Sequence, residues 1–99
     1  MITLKVRTIL TIREILGKGD VELRLPEGST LDDLLFLLIT TYGEALTPHL
    51  FDADAKGRGQ KARITRIMIN GRDIEFLNGL RTVLHDEDEV LILPIVSGG

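Results

Sequence analysis

At 99 residues, 43% of them hydrophobic and 27% charged, the chain has room for one domain with a real core and lacks the composition of a disordered segment. A net charge of −3, with three Phe, one Tyr and no Trp, argues against a nucleic-acid binder, which would show a basic excess and aromatic platforms for bases. The absence of cysteine removes disulfide frameworks, thiolate metal sites and cysteine nucleophiles, and fits a reducing cytoplasm.

The segment Met1 to Arg7 carries charges inside its apolar stretch and has no signal-peptide pattern. The longest apolar runs fall far short of a membrane span. The expectation is one soluble, cytoplasmic domain over residues 1–99, with neither membrane nor nucleic acid as a partner. Ile2, Leu4 and Val6 alternate with Thr3, Lys5 and Arg7, the pattern of a half-buried strand. A short helical turn is expected around Ile12 to Leu16. Gly17-Lys18-Gly19-Asp20 reads as a turn, too short and wrongly followed for a phosphate loop, and Val21 to Leu25 alternates as a second strand.

The clearest helix follows Pro26-Glu27-Gly28. Ser29 or Thr30 can cap it, Asp32 and Asp33 occupy the first turn, and Leu31, Leu34, Leu35, Leu38 and Tyr42 repeat at helical spacing up to Gly43. Phe36, Leu37 and Ile39 make it apolar nearly all round, so it should be largely buried. One further helical turn is expected at Thr47 to Phe51. The polar, glycine-containing stretch 52–62 reads as a mobile loop. Ile64 to Asn70 is expected to be a strand, Asn70-Gly71-Arg72-Asp73 a tight turn, Ile74-Glu75-Phe76 a short extended piece, and Asn78-Gly79 another turn. After the acidic run Asp86 to Glu89 comes a strand, Val90 to Val96, apolar on both sides and therefore central in the sheet.

This order makes a two-layer α+β domain with a mixed four- to five-stranded sheet on one main helix. One good helix covers one face. Some of Leu91, Leu93 and Ile95 should then face solvent as an apolar protein-binding patch, continued by Pro94 and Val96. The chain closes on Ser97-Gly98-Gly99, a slender diglycine carboxylate suited to insertion into another protein's active site. The tail 97–99 is expected to be flexible and the carboxylate of Gly99 to be the reactive group.

Ile69-Asn70-Gly71-Arg72-Asp73-Ile74, Gly79-Leu80, Leu84, Asp86, Asp88-Glu89-Val90, Pro94, Val96 and Gly98-Gly99, in that order, resemble the C-terminal half of the ThiS/MoaD sulfur-carrier proteins. The first two strands, read together as a β-hairpin, the run Leu25-Pro26-Glu27-Gly28-Ser29-Thr30-Leu31 and Tyr42-Gly43 agree with the N-terminal half. Two departures stand out. Glu87 replaces the glycine of the family's Asp-Gly-Asp turn, which puts the turn's conformation in question. Ile95 replaces the second proline of the tail and leaves it less rigid.

The resemblance implies the ubiquitin-like β-grasp fold. It also implies that an E1-like adenylating enzyme of the MoeB/ThiF type uses ATP to convert Gly99 to an acyl-adenylate, after which sulfur displaces AMP. Such a chain is a cosubstrate, not an enzyme, and binds no cofactor of its own. Gly99 would be the attachment site, with Gly98 and Ser97 as spacer. With no cysteine in the chain, the terminal carboxyl is the group that could carry sulfur covalently. The sulfur acceptor would be a MoaE-like subunit of molybdopterin synthase, in molybdenum or tungsten cofactor synthesis, or a cysteine synthase served by a CysO-type carrier. A ThiS proper is usually shorter. A ubiquitin-like modifier joined to lysines through Gly99, and an inert binding module, are the readings from other classes.

Other clusters are assigned no chemistry. Asp86 to Glu89 lacks calcium-loop spacing and reads as a solvated turn, and His49 and His85 lack a second ligand at metal spacing. Lys56, Arg58, Lys61, Arg63 and Arg66 read as a charged loop.

Overall fold

In the computed structural model the described residues are 1–51, 61–62 and 64–95. Strands β1 (Ile2–Thr8) and β2 (Asp20–Leu25) form the first hairpin, joined by helix α1 (Leu10–Leu16). Helix α2 (Leu31–Tyr42) follows, then a single 3-10 turn (Glu44–Leu46) and the short helix α3 (Thr47–Leu50). Strands β3 (Thr65–Ile69), β4 (Arg72–Asp73) and β5 (Glu89–Pro94) complete a five-stranded sheet of order β2-β1-β5-β3-β4.

Both edges of β5 are paired in that order. It lies parallel to β1, with Val6 opposite Val90 and Thr8 opposite Ile92, and antiparallel to β3, with Ile67 opposite Ile92. The central position expected from the sequence is the one observed. Alternation along each strand then sorts the side chains. Ile2, Leu4, Val6, Val21, Leu23, Leu25, Ile67, Ile69, Val90 and Ile92 are buried together with Leu31, Leu34, Leu35 and Leu38 of α2.

Helix α2 starts where its sequence says. The Thr30 side chain accepts the Asp33 N–H at 3.4 Å, and the Asp33 carboxylate accepts the Thr30 N–H at 2.9 Å, a reciprocal capping box. Gly43 ends the helix at φ 114° and donates its N–H to the Ile39 carbonyl at 2.8 Å. The apolar far side of α2 is covered too. Phe36 stacks on Phe51 with ring centroids 5.1 Å apart, and Leu37 and Ile39 pack half-buried against the core.

Two expectations need correction. The turn expected near Ile12 is a full helix that buries Ile12 and Leu16, so α2 does not cover the core alone. Ile74-Glu75-Phe76 is not extended. Asp73 accepts the Glu75 N–H at 2.9 Å through its side chain, and that local bond curls the segment into a 3-10 turn after only two residues of β4. The stretch 52–60 and the tail 96–99 lie outside the described residues.

Candidate functional site: the open sheet face and the end of the central strand

The helices cover one face of the sheet, and the other carries the alternate residues. From the register these are Thr3, Lys5 and Arg7 on β1, Asp20, Glu22 and Arg24 on β2, Glu89, Leu91 and Leu93 on β5, Arg66 and Met68 on β3, and Asp73 on β4. Leu91 sits opposite Met68, and Leu93 opposite Arg66. Leu91, Leu93 and Met68 are half-buried, an apolar stripe along the middle of an otherwise charged face.

Charge borders the stripe on both sides. Arg7 donates to Asp20 at 2.9 Å, and Arg66 pairs with Asp73 at 3.2 Å. The hydrogen bond and the charge of Asp20 hold the Arg7 pKa above its usual value, so Arg7 is a fixed cation here. Between β2 and the start of β5 the face dips into a depression of about 560 Å³ lined by Lys5, Arg7, Glu22, Glu89 and Leu91 among others.

The acidic run before β5 is a clasp. Asp86 accepts the Thr3 N–H at 2.7 Å, and the Glu87 N–H returns to the Thr3 carbonyl at 2.7 Å. Asp88 accepts from the His85 N–H and from the Asn70 side-chain amide, both at 2.8 Å. The Asn70 side-chain oxygen in turn accepts the Glu89 N–H at 3.0 Å. Thus β5 is tied at its start to β1 on one side and to the β3–β4 turn on the other. The carboxylates serve the fold, and no grouping of His, Asp or Glu among the described residues could hold a metal ion.

Glu87 occupies φ 70°, the left-handed region that favours glycine. The family's turn conformation, which this substitution put in question, is therefore a glycine-type one here, adopted by a glutamate. The His85 carbonyl accepts the Asp88 N–H at 3.1 Å, so Glu87 is the third residue of a four-residue turn, where type II geometry asks for positive φ.

At its far end β5 passes into Ile95, 48% exposed, whose N–H donates to the Ile64 carbonyl at 2.7 Å. Ile64 is itself 55% exposed. Since Thr8 pairs with Ile92, Ile9 and Leu10 follow at this same end of the sheet, and both are exposed. Thr65, whose hydroxyl donates to the His49 carbonyl, and Lys61, whose ammonium donates to the Ala62 and Thr65 carbonyls, fix the neighbouring backbone.

Of the residues expected to meet partners, Leu91, Leu93 and Ile95 therefore share the open face. Pro94, opposite Thr65, alternates to the other side. Val96, Ser97, Gly98 and Gly99 lie outside the described residues, as do Lys56, Arg58 and Arg63 of the basic cluster. The sequence reading missed Met68 and Phe76 on the open face. Aspartate two residues before Glu75 was the available signal, because that spacing favours a side-chain-capped turn over an extended strand.

Comparison with known proteins gives concordant results. The model of the ThiS family matches residues 9–99. Small archaeal modifier protein 3 of Haloferax volcanii is 29% identical over 96 residues, 97% of this chain and 98% of that protein. The sulfur carrier protein CysO of Mycobacterium tuberculosis is 35% identical over 72 residues, 73% of this chain and 74% of that one. The solution structure of small archaeal modifier protein 1 from Methanosarcina acetivorans superposes with a TM-score of 0.82 at 35% identity, over 100% of this chain and 98% of the other.

Proposed function

This chain belongs to the ThiS family of ubiquitin-like sulfur carriers and modifiers, and we propose that it works through the carboxyl group of Gly99. The observation that carries the reading is the family match running through the diglycine, joined to a domain whose central strand leads directly to it. A carboxylate is a poor electrophile. An E1-like adenylating enzyme supplies ATP, the Gly99 carboxylate displaces pyrophosphate from the α-phosphate, and the acyl-adenylate acquires a good leaving group. Sulfide then attacks the acyl carbon, AMP departs, and a thiocarboxylate remains as the sulfur donor.

The domain's part is binding and presentation. The Leu91–Leu93–Met68 stripe and Ile95 offer apolar area to a partner next to the strand end, and the clasp at Asp86 and Asp88 holds that strand in place. The chain acts as a cosubstrate, in a cytoplasmic setting consistent with its lack of cysteine. The acceptor is a MoaE-like synthase subunit in molybdenum or tungsten cofactor synthesis, with a cysteine synthase as the alternative that the CysO similarity supports. The similarity to small archaeal modifier proteins favours a second use of the same activated glycine, capture by a lysine amine.

Intact-mass measurement after incubation with the adenylating enzyme, ATP and a sulfur donor tests the reading. The expected product gains the mass of one oxygen exchanged for sulfur, and loses that gain when Gly99 is deleted or one residue is added after it. Adenylation followed only by higher-mass lysine adducts would establish the modifier in place of the carrier. Absence of any adenylation would refute both.

A further inference from the structure

The two edges of the sheet are unlike. Strand β4 is two residues long, too short to offer a ladder. Strand β2 runs for six residues, Asp20 to Leu25, and its pairing with β1 is unbroken. It has no proline, and its core side carries no charge, only the buried Val21, Leu23 and Leu25. Prolines, bulges and inward-pointing charges are what ordinarily blunt an edge, so this one is left open. The Thr8 N–H donates to the Gly19 carbonyl at 2.8 Å, and that pair continues the β1–β2 register. Alternation from it directs the backbone groups of Val21, Leu23 and Leu25 to β1 and those of Glu22 and Arg24 outward. Among the described residues no other strand pairs with that outer side.

The charges of β2 select what can complete it. Asp20 is taken by Arg7 at 2.9 Å, whereas Glu22 and Arg24 are exposed and form no ion pair among the described residues. Two copies of β2 set edge to edge, antiparallel across a two-fold axis, must oppose residues of like face. Centring the axis on Glu22 sets two glutamates opposite each other, and centring it on Arg24 sets two arginines so. Centring it on Leu23 sets Glu22 of each copy opposite Arg24 of the other. These are the residues whose N–H and C=O groups point outward, so each such pair exchanges both backbone hydrogen bonds. On the core side Val21 then faces Leu25. Pro26, which has no N–H, falls opposite Asp20 and closes the ladder at each end.

We propose that the free edge of β2 is a self-association site, which receives the β2 edge of a second copy in the register centred on Leu23. The two five-stranded sheets then run on as one. The contact is short and its ion pairs are exposed, so the association is weak, reversible and sensitive to salt. In each copy β1 separates β5 from the junction, and the two-fold axis points the Pro94 ends of the two β5 strands in opposite directions. Joining two copies therefore leaves both of those strand ends clear of the junction. The inference stands independently of the proposed function.

The test is translational diffusion and amide spectra by NMR at low salt, from about 20 μM to about 1 mM protein. The samples are the wild type, Glu22→Arg, Arg24→Glu, and a one-to-one mixture of these two variants. The wild type is expected to pass from monomer toward dimer, with concentration-dependent shifts and slowed exchange at the Glu22 and Arg24 amides. Each variant alone opposes like charges in the Leu23-centred register, and its Kd should rise roughly tenfold or more. The mixture sets each introduced charge against an opposite one. It should associate as the wild type does, which also shows that both variants are folded. A wild type that stays monomeric at about 1 mM overturns the proposal. So does association that survives either variant alone, or that the mixture fails to restore.

Discussion

Replacing Glu87 by glycine is expected to stabilise the domain, although it deletes a side chain and adds freedom to the unfolded chain. An L-residue held at φ 70° pays roughly 1–2 kcal/mol for the contact between its Cβ and the backbone. Glycine escapes that cost but gives back roughly 0.5–1 kcal/mol through its larger unfolded-state entropy. The native hydrogen bonds of the turn are kept, because the 2.7 Å bond from position 87 to Thr3 uses the backbone N–H. Taken at the middle of both ranges, the net expectation is a gain of about 0.75 kcal/mol. For a domain of this size that is a rise of about 3–6 °C in melting temperature. Urea unfolding and thermal melts on Glu87→Gly and Glu87→Ala separate the causes. Alanine removes the charge and keeps the strain, so it should be close to neutral. Equal stabilisation by both variants would show that relief of repulsion within Asp86 to Glu89, not backbone strain, is responsible. No gain in Glu87→Gly would refute the strain argument outright.

Thr30→Ala breaks the capping box of α2 and should cost about 1 kcal/mol in urea unfolding, while Ser29→Ala, which leaves the box intact, should cost less. Ile92→Ala empties the middle of the core at a residue 0% exposed, and a loss of about 2–5 kcal/mol is expected by the same measurement. Asn70→Ala removes the amide bonds to Asp88 and to the Glu89 N–H and leaves an alanine at φ 51°. A loss of roughly 1–2 kcal/mol is expected, with faster amide exchange at Glu89 as the local sign.

What could be read from the chain followed the strength of the local code. Helix α2 was legible because capping, first-turn acids and apolar spacing all agree at Thr30, Asp32, Asp33 and Leu31. The central place of β5 followed from an apolar run on both faces, and the Asn70-Gly71 turn from residues that accept positive φ, here 51° and 85°. The turn at Ile74 to Phe76 was misread because its three residues look like strand. A single side-chain bond from Asp73 decides otherwise. The apolar half of the open face was visible in Leu91, Leu93 and Ile95. Alternation with Ile67 and Ile69 puts Met68 on that face, but its place beside Leu91 depends on register with β5, a long-range pairing that no local window contains. The acidic run looked like a solvated turn, and its role as a clasp also required knowing that Thr3 lies beside it.

The position of β5 has a mechanical consequence. A pull on the chain beyond Pro94 acts along a strand held on both edges, by four paired positions on β1 and five on β3. The N-terminal strand runs parallel to it, so tension between the two ends loads the β1–β5 ladder in shear, with its bonds strained together. Unzipping one bond at a time is not available from that direction. Tension on this end of the chain is therefore shared across both ladders and does not peel the domain away strand by strand.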